Sequence, residues 1–366
     1  MGRNVRTGVR VLVAVVLGAA VVPLSGCGDD SGSGPASGRT GRVAFFLPHP
    51  KADRYEAIDL PYFTERMAEL CPDCTVDYHN AGNDQATQNE QFAKALSQGA
   101  QVVVLDPVSS GDSADLVSQA QSKGVPVISY DRTILNAPFD YLVSFDHVEV
   151  GRQQAQSLLT AMGTNASKGK ILWVNGPPTD SNAVFMKQGA HEILDGKVSV
   201  AAEFTMPGPK WDKDAVQAWA DRIVPTLDVG SIVGAYAADD SSAGIIAAAL
   251  AARGVKKMPP ITGQNADTAG LQRILSGTQY MTAYKPVPQE ARLAAETAFA
   301  LLSGKKPETT ATLDNGSGAR PAIFVKTEAV TSDRIKDTVL KDGFLTENAL
   351  CAAAFAQACR QTGITG

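Results

Sequence analysis

Two short runs, "VVVL" at 102–105 and "VPVI" at 125–128, set the tightest limit on what this chain can fold into. Neither run contains a polar residue, so neither strand can turn a face to water. Strands apolar on both faces belong inside a parallel sheet covered by helices on each side. The neighbouring segments supply those helices: "TQNEQFAKALSQGA" and "SGDSADLVSQAQSKG" each carry a periodic stretch that stops at Gly. "RVAFFLP" (42–48) and "TVDYHNA" (75–81) add two strands, with a helical stretch carrying Phe63, Met67 and Leu70 between them. The fold class is therefore α/β, doubly wound.

The cadence then restarts. "KGKILWVNGPPTDSNAVFMKQGAHEIL" reads as strand, turn and helix. "GSIVGAYAADDSSAGIIAAALAARGVKKMPPITGQNAD" reads as strand, acidic loop, helix, Gly and strand. About 325 residues follow position 41, more than one core usually serves, so two similar lobes in tandem are expected.

Open parallel sheets hold ligands in the crevice beyond the carboxyl ends of their strands. Polar residues cluster at those ends: Asp131 and Arg132 in "YDRTI", then Asp239 and Asp240, then Gln264, Asn265 and Asp267. Asp180, Asn182, Lys285 and the early Asp53, Arg54 and Tyr55 join them. Carboxylates accept hydroxyl protons, whereas Arg and Lys donate to hydroxyl oxygens, so this mixture suits a ring of hydroxyls. Tyr55 and Trp211 are candidates to cover the apolar C–H faces of a pyranose. A saccharide site is the natural expectation. A lone strand-end Asp is nevertheless more often a helix cap than a ligand contact, and Asp240, just before "SSAGIIAAAL", is the prime candidate for such a cap. Enzyme signatures are missing from the sequence: there is no Gly-x-Ser-x-Gly, no P-loop, no His-Glu-x-x-His and no Gly-x-Gly-x-x-Gly after a strand. Paired carboxylates could belong to a glycosidase. Interleaved with cations and amides, they are better placed to hold a sugar than to cleave one.

The amino terminus carries Arg3, Arg6 and Arg10 ahead of an apolar run at 11–22. Twelve helical residues rise about 18 Å, short of a ~30 Å hydrocarbon core, so this is an export signal and not a span. Leu24, Ser25, Gly26 and Cys27 resemble a bacterial lipobox, in which Cys27 is lipidated and becomes the mature terminus. The Gly/Ser-rich "GDDSGSGPASGRTG" then suits a tether. Removing residues 1–26 takes away three Arg and no acid, moving the net charge from −5 to −8. An acidic mature chain without a basic stripe argues against a nucleic-acid partner.

Beyond Cys27, the cysteines form two close pairs, Cys71 with Cys74 and Cys351 with Cys359. Two local disulfides are the simplest reading in an exported chain. Cys-x-x-Cys could instead be a redox motif or half a zinc site, although the four His show no ligand spacing, and no metal is expected.

Residues 42–350 resemble the periplasmic D-xylose-binding proteins of bacterial ABC importers, in the type I ribose/galactose-binding superfamily. "YDRTI", "YLVSFDHVEVGRQQA", "TGQNADTAGLQRILSGTQYMTAYKP" and "IKDTVLKDGF" carry the resemblance, in order and spacing. It implies two doubly wound lobes joined by a three-crossing hinge. The expected boundaries are a signal at 1–26, lipidated Cys27 and tether to 41, one lobe from 42–148 plus 286–316, the other from 149–285 plus 317–350, and a C-terminal extension at 351–366. By position, Arg54, Asp131, Arg132, Asp180, Asn182 and Lys285 should hydrogen-bond the sugar. Tyr55 stands where the family has Trp, and Trp211 matches its second stacking aromatic. Two loops depart from the family: Asp239 with Asp240 replaces Asn-Asp, and Gln264 to Asp267 carries Asn265 where the family has Asp.

The lipobox and this resemblance together imply a lipid-anchored, monomeric, non-enzymatic receptor on the outer face of the cytoplasmic membrane. It would bind a monosaccharide, D-xylose first, without a cofactor, and deliver it to an ABC permease and its ATPase. The alternatives are a sensor lipoprotein reporting sugar to a signalling receptor, and a receptor for another pentose or a hexose. The export signal disfavours a sugar-responsive repressor of the same fold.

Overall fold

The computed structural model describes residues 40–50 and 54–364, so the export segment and Cys27 lie outside the described residues. Strand and helix alternate from the start: β1 (Arg42–Leu47), α1 (Leu60–Leu70), β2 (Thr75–Asn80), α2 (Gln85–Ser97), β3 (Val102–Leu105), α3 (Ala114–Ser122), β4 (Val127–Tyr130) and β5 (Tyr141–Phe145). A second run follows with α4 (His147–Met162), β6 (Lys170–Asn175), α5 (Ser181–Leu194), β7 (Ser199–Thr205), α6 (Lys213–Ile223) and β8 (Ile232–Ala237). It continues through α7 (Asp240–Ala252), β9 (Thr262–Gln264), α8 (Thr268–Leu275) and β10 (Met281–Tyr284). The chain returns through α9 (Val287–Leu302), β11 (Ala311–Asp314), β12 (Ala319–Val325) and β13 (Glu328–Val330), then ends in α10 (Glu347–Leu350) and α11 (Ala356–Gln361).

The first sheet runs β11-β12-β5-β4-β3-β1-β2 and is parallel except at the β11–β12 hairpin. Its inner strands β1 and β3 are apolar because alternate residues serve two separate cores. β1 sends Ala44 and Phe46 into one cluster with Phe92 and Leu116, and Val43, Phe45 and Leu47 into another with Phe63 and Ala294. β3 divides likewise, Val103 and Leu105 against Val102 and Val104. In the second lobe β7-β6-β8 and β13-β10-β9 are joined by a bridge between Ala235 and Ile261, so they form one layer. β6 repeats the division, with Leu172 and Val174 facing Trp219 while Ile171 and Trp173 face Leu158. The described residues thus form two α/β lobes built on largely parallel sheets.

The chain passes between lobes three times: after Phe145, at Lys285 and Pro286 between β10 and α9, and after Val325 between β12 and β13. The last position corrects the sequence reading, which ended the first lobe at 316. β12 pairs in parallel with β5, so the segment 317–325 belongs to the first lobe. The Gly-rich "NGSG" at 315–318 is the hairpin turn between β11 and β12, with Gly316 and Gly318 at φ of +94 and +100. The first crossing likewise falls slightly before the expected 148, since α4 already packs in the second lobe through Leu158.

Both cysteine pairs are disulfide-bonded locally, Cys71–Cys74 and Cys351–Cys359. The second staples the C-terminal extension, whose Cys359 and Ile364 are buried beside Leu271, Ile274 and Tyr284.

Candidate functional site

The loop after β4 makes the first half of the site. Asp131 sits at φ +53, a left-handed conformation that Asp tolerates better than most residues. The Asp131 amide donates to Val143 O at 3.0 Å, and Ser144 Oγ donates to the Asp131 carbonyl. One residue on, Arg132 is 2% exposed, with Nη1 donating to the Pro107 and Val108 carbonyls at 2.9 and 3.2 Å. So the charges that end this buried strand are themselves buried. They are tolerated because each has charged or backbone partners.

Those partners come from both lobes. Arg132 Nε lies 2.9 Å from Asp180 Oδ2 across the cleft and 3.7 Å from Asp106 behind it. Asp180 caps α5 by accepting from the Asn182 amide, and it accepts the Trp211 indole N–H at 2.8 Å. Asn182 Nδ2 donates to Asp131 Oδ1 at 3.2 Å. Arg54, just before the helical turn Tyr55–Asp59, lies 3.1 Å from Asp131, 3.4 Å from Asp59 and 3.2 Å from Glu290. Its guanidinium stands over the Tyr55 ring, 4.9 Å from the centroid.

From the second lobe, Asp239 reaches the site while capping α7 through the Ser242 amide at 2.8 Å. Asn265 follows β9 at φ +96, its amide tied to Ala283 O at 3.0 Å. Lys285 stands at the second crossing, Nζ 5.6 Å from the Phe145 ring. Together these ten sequence-predicted residues surround one cavity of about 260 Å³. Gln264 lines it too, and His49, Lys213 and Ser241 are additions that no sequence signal had marked.

Two expectations change. Asp240 is not the cap of α7; its neighbour Asp239 is. Asp240 is fully buried and takes the Gln279 amide, the Thr282 hydroxyl and the Asp267 backbone amide at 2.6, 2.9 and 3.1 Å. It is the brace that sets α7 against β10 and α8. Asp267 caps α8 and lines an adjoining cavity rather than the first, and Asp53 lies outside the described residues.

The electrostatics separate the carboxylates by role. Burial acts to raise the Asp131 carboxyl, yet Arg54, Lys285, His147 and Arg132 together hold it below the ordinary range. Glu290 is pushed well above that range by burial and then by the charge of Asp131, despite Arg54. Burial also raises Asp59 and Asp106. His147, just past the first crossing, is lowered to about 3 by burial and by Lys285. A carboxylate kept ionised, flanked by guanidinium, amide and ammonium groups in a small cavity, suits a neutral polyhydroxylic molecule. It offers acceptors and donors in alternation, with Tyr55 and Trp211 as flat apolar faces.

A sequence profile for the periplasmic binding protein domain matches residues 43–306. The chain is 33% identical over 277 residues to the D-xylose-binding periplasmic protein of Escherichia coli, covering 74% of this chain and 82% of that one. It is 30% identical over 294 residues to the multiple sugar-binding periplasmic protein SbpA of Azospirillum brasilense, covering 74% and 81%. Among solved structures, a carbohydrate transporter solute binding protein from Chloroflexus aurantiacus in complex with D-glucose superposes with a TM-score of 0.75 at 26% identity, covering 87% and 98%. The chain belongs to the periplasmic binding protein family, type I.

Proposed function

We propose that the protein is an extracytoplasmic receptor that binds a monosaccharide, D-xylose first, between its lobes and hands it to an ABC permease and its ATPase. The observation that carries this reading is the cavity itself, where acceptors and donors from both lobes converge with two aromatic faces. A binder is favoured over a catalyst because Asp131 and Asp180 are both pinned by guanidinium groups. A glycosidase acid needs one carboxyl raised and free to deliver a proton, whereas Asp131 is held low.

A pentose has about ten heavy atoms, so its binding ceiling is roughly −15 kcal/mol. Micromolar affinity needs about −8 kcal/mol, attainable when most hydroxyls find partners and water is excluded. Lobe closure supplies that exclusion and gives the permease a shape to recognise. Lipidation at Cys27, supported by the Leu-Ser-Gly-Cys motif, would hold the receptor at the membrane in monomeric form.

A second reading, a hexose ligand, is favoured by the glucose-bound relative of similar fold. A thermal-shift series of the exported chain against monosaccharides tests both, because a ligand bound only by the folded form raises the melting temperature. D-Xylose giving the largest rise supports the first reading and D-glucose the second. No response to any sugar removes both.

A further inference from the structure

A second cavity, of about 340 Å³, adjoins the first and shares Arg54, Asn265 and Lys285 with it. Its remaining walls differ in chemistry. Ile58, Val287, Phe344 and Leu345 face it, with Ala269 and Thr268 from the first turn of α8. Asp267 also lines it, but one of its carboxylate oxygens already accepts from the Gly270 amide at 2.9 Å. Apart from the shared Arg54, Asn265 and Lys285, none of the groups lining the first cavity lines this one, and its apolar side chains offer hydroxyls no partner.

The apolar wall is built, not incidental. Phe344 stands edge-on to Tyr284 at 5.3 Å, and Phe344 and Leu345 pack on a cluster containing Leu350, Cys359 and Ile364. Gln272 Nε2 donates to Leu350 O at 3.1 Å, tying this region to α8. The disulfide-stapled extension therefore stands directly behind the wall.

Resting on the sugar-receptor reading above, we propose that the second cavity is a subsite for the apolar substituent of a glycoside. The sugar ring would occupy the first cavity and an aryl or alkyl aglycone the second. The ligand class thus extends from free monosaccharides to small glycosides with a hydrophobic group at the anomeric carbon.

Calorimetry on the mature chain tests this with free D-xylose and D-glucose, their methyl and 4-nitrophenyl glycosides in both anomers, and xylobiose. One anomer of the nitrophenyl glycoside should bind about tenfold tighter than its methyl counterpart, as burial of a ring against apolar walls predicts. Ala269→Phe, which adds bulk from the exposed first turn of α8, should abolish that advantage and change free-sugar affinity less than about twofold. A melting temperature close to wild type certifies the fold; should A269F miss it, Ala269→Leu carries the same test. Nitrophenyl glycosides weaker than methyl ones in both anomers would overturn the proposal, as would an advantage that survives the filled cavity. Xylobiose outbinding the aryl glycosides would overturn the apolar class. Free sugar binding without glycoside binding sinks this inference alone, while no sugar binding at all sinks the receptor reading beneath it.

Discussion

Around Arg54, three carboxylates share one guanidinium: Asp131, Asp59 and Glu290. Buried like charges resist ionising together: burial raises both Asp59 and Glu290, and Glu290, also facing the charge of Asp131, is pushed well above the ordinary range. Glu290→Gln should therefore cost less than about 1 kcal/mol of stability in urea titrations. Arg54→Met should cost about 3–5 kcal/mol, because it strands buried charges. Equal losses would show that Glu290 is ionised. His147 gives a pH dependence with a defined sign. Its folded value of about 3 lies below the unfolded 6.5, so its stabilising contribution is complete above 6.5 and declines as pH falls toward 3. His147→Gln should flatten the acid limb of the melting-temperature profile between those values; an unchanged limb would assign it to other groups. Asp59, Glu290 and His147 could not be read from the sequence as members of this network. Asp59 and Glu290 lie in helical segments, and nothing local separates a buried helical acid from a solvated one. Asp131 and Arg132 were legible because a charge pair at the end of an apolar strand is conspicuous.

Among elements, the α4–α5 pair shows how closely packing fixes the site. A Cβ on Gly151 would lie 2.1 Å from Met186 O, and one on Gly189 would lie 1.9 Å from Val148 O. The two helices meet backbone to backbone, and α5 carries Asp180 and Asn182 at its start. Gly189→Ala should lower stability by at least the ~1–3 kcal/mol of an overpacked core, read by thermal unfolding, and weaken ligand binding as α5 shifts. A variant of wild-type stability would mean that the pair yields freely. The loops opposite invite a reciprocal exchange. Asp239 caps a helix and Asn265 holds a positive φ, and Asp and Asn suit both tasks. Asp239→Asn alone should weaken sugar binding in calorimetry, and adding Asn265→Asp should restore it; a double variant no better than the singles refutes the compensation. The element pattern was largely legible because a strand buried on both faces leaves a plain apolar run. The third crossing was placed too early because the pairing of β12 with β5 is a long-range contact that no local pattern reveals. Asp239 and Asp240 exchanged roles because a cap depends on backbone angles that adjacent identical residues do not reveal.

At the scale of the whole molecule, the lobes grip each other without help from the cavity. The Ser110 amide donates to Thr179 O at 3.0 Å, the Ser181 amide to Ser110 Oγ at 3.1 Å, and the Thr133 amide to Ser181 Oγ at 2.8 Å. Replacing Ser110 and Ser181 by Ala should enlarge the ligand-free radius of gyration in X-ray scattering. It should also weaken apparent affinity several-fold, since that affinity scales with the fraction already competent to bind. A double variant that matches wild type in both measurements would leave the clasp without consequence. Two hydroxyls thereby settle a compromise for the cell: a firmer clasp captures scarce nutrient, yet it also sends more empty carriers to knock at the transporter's door.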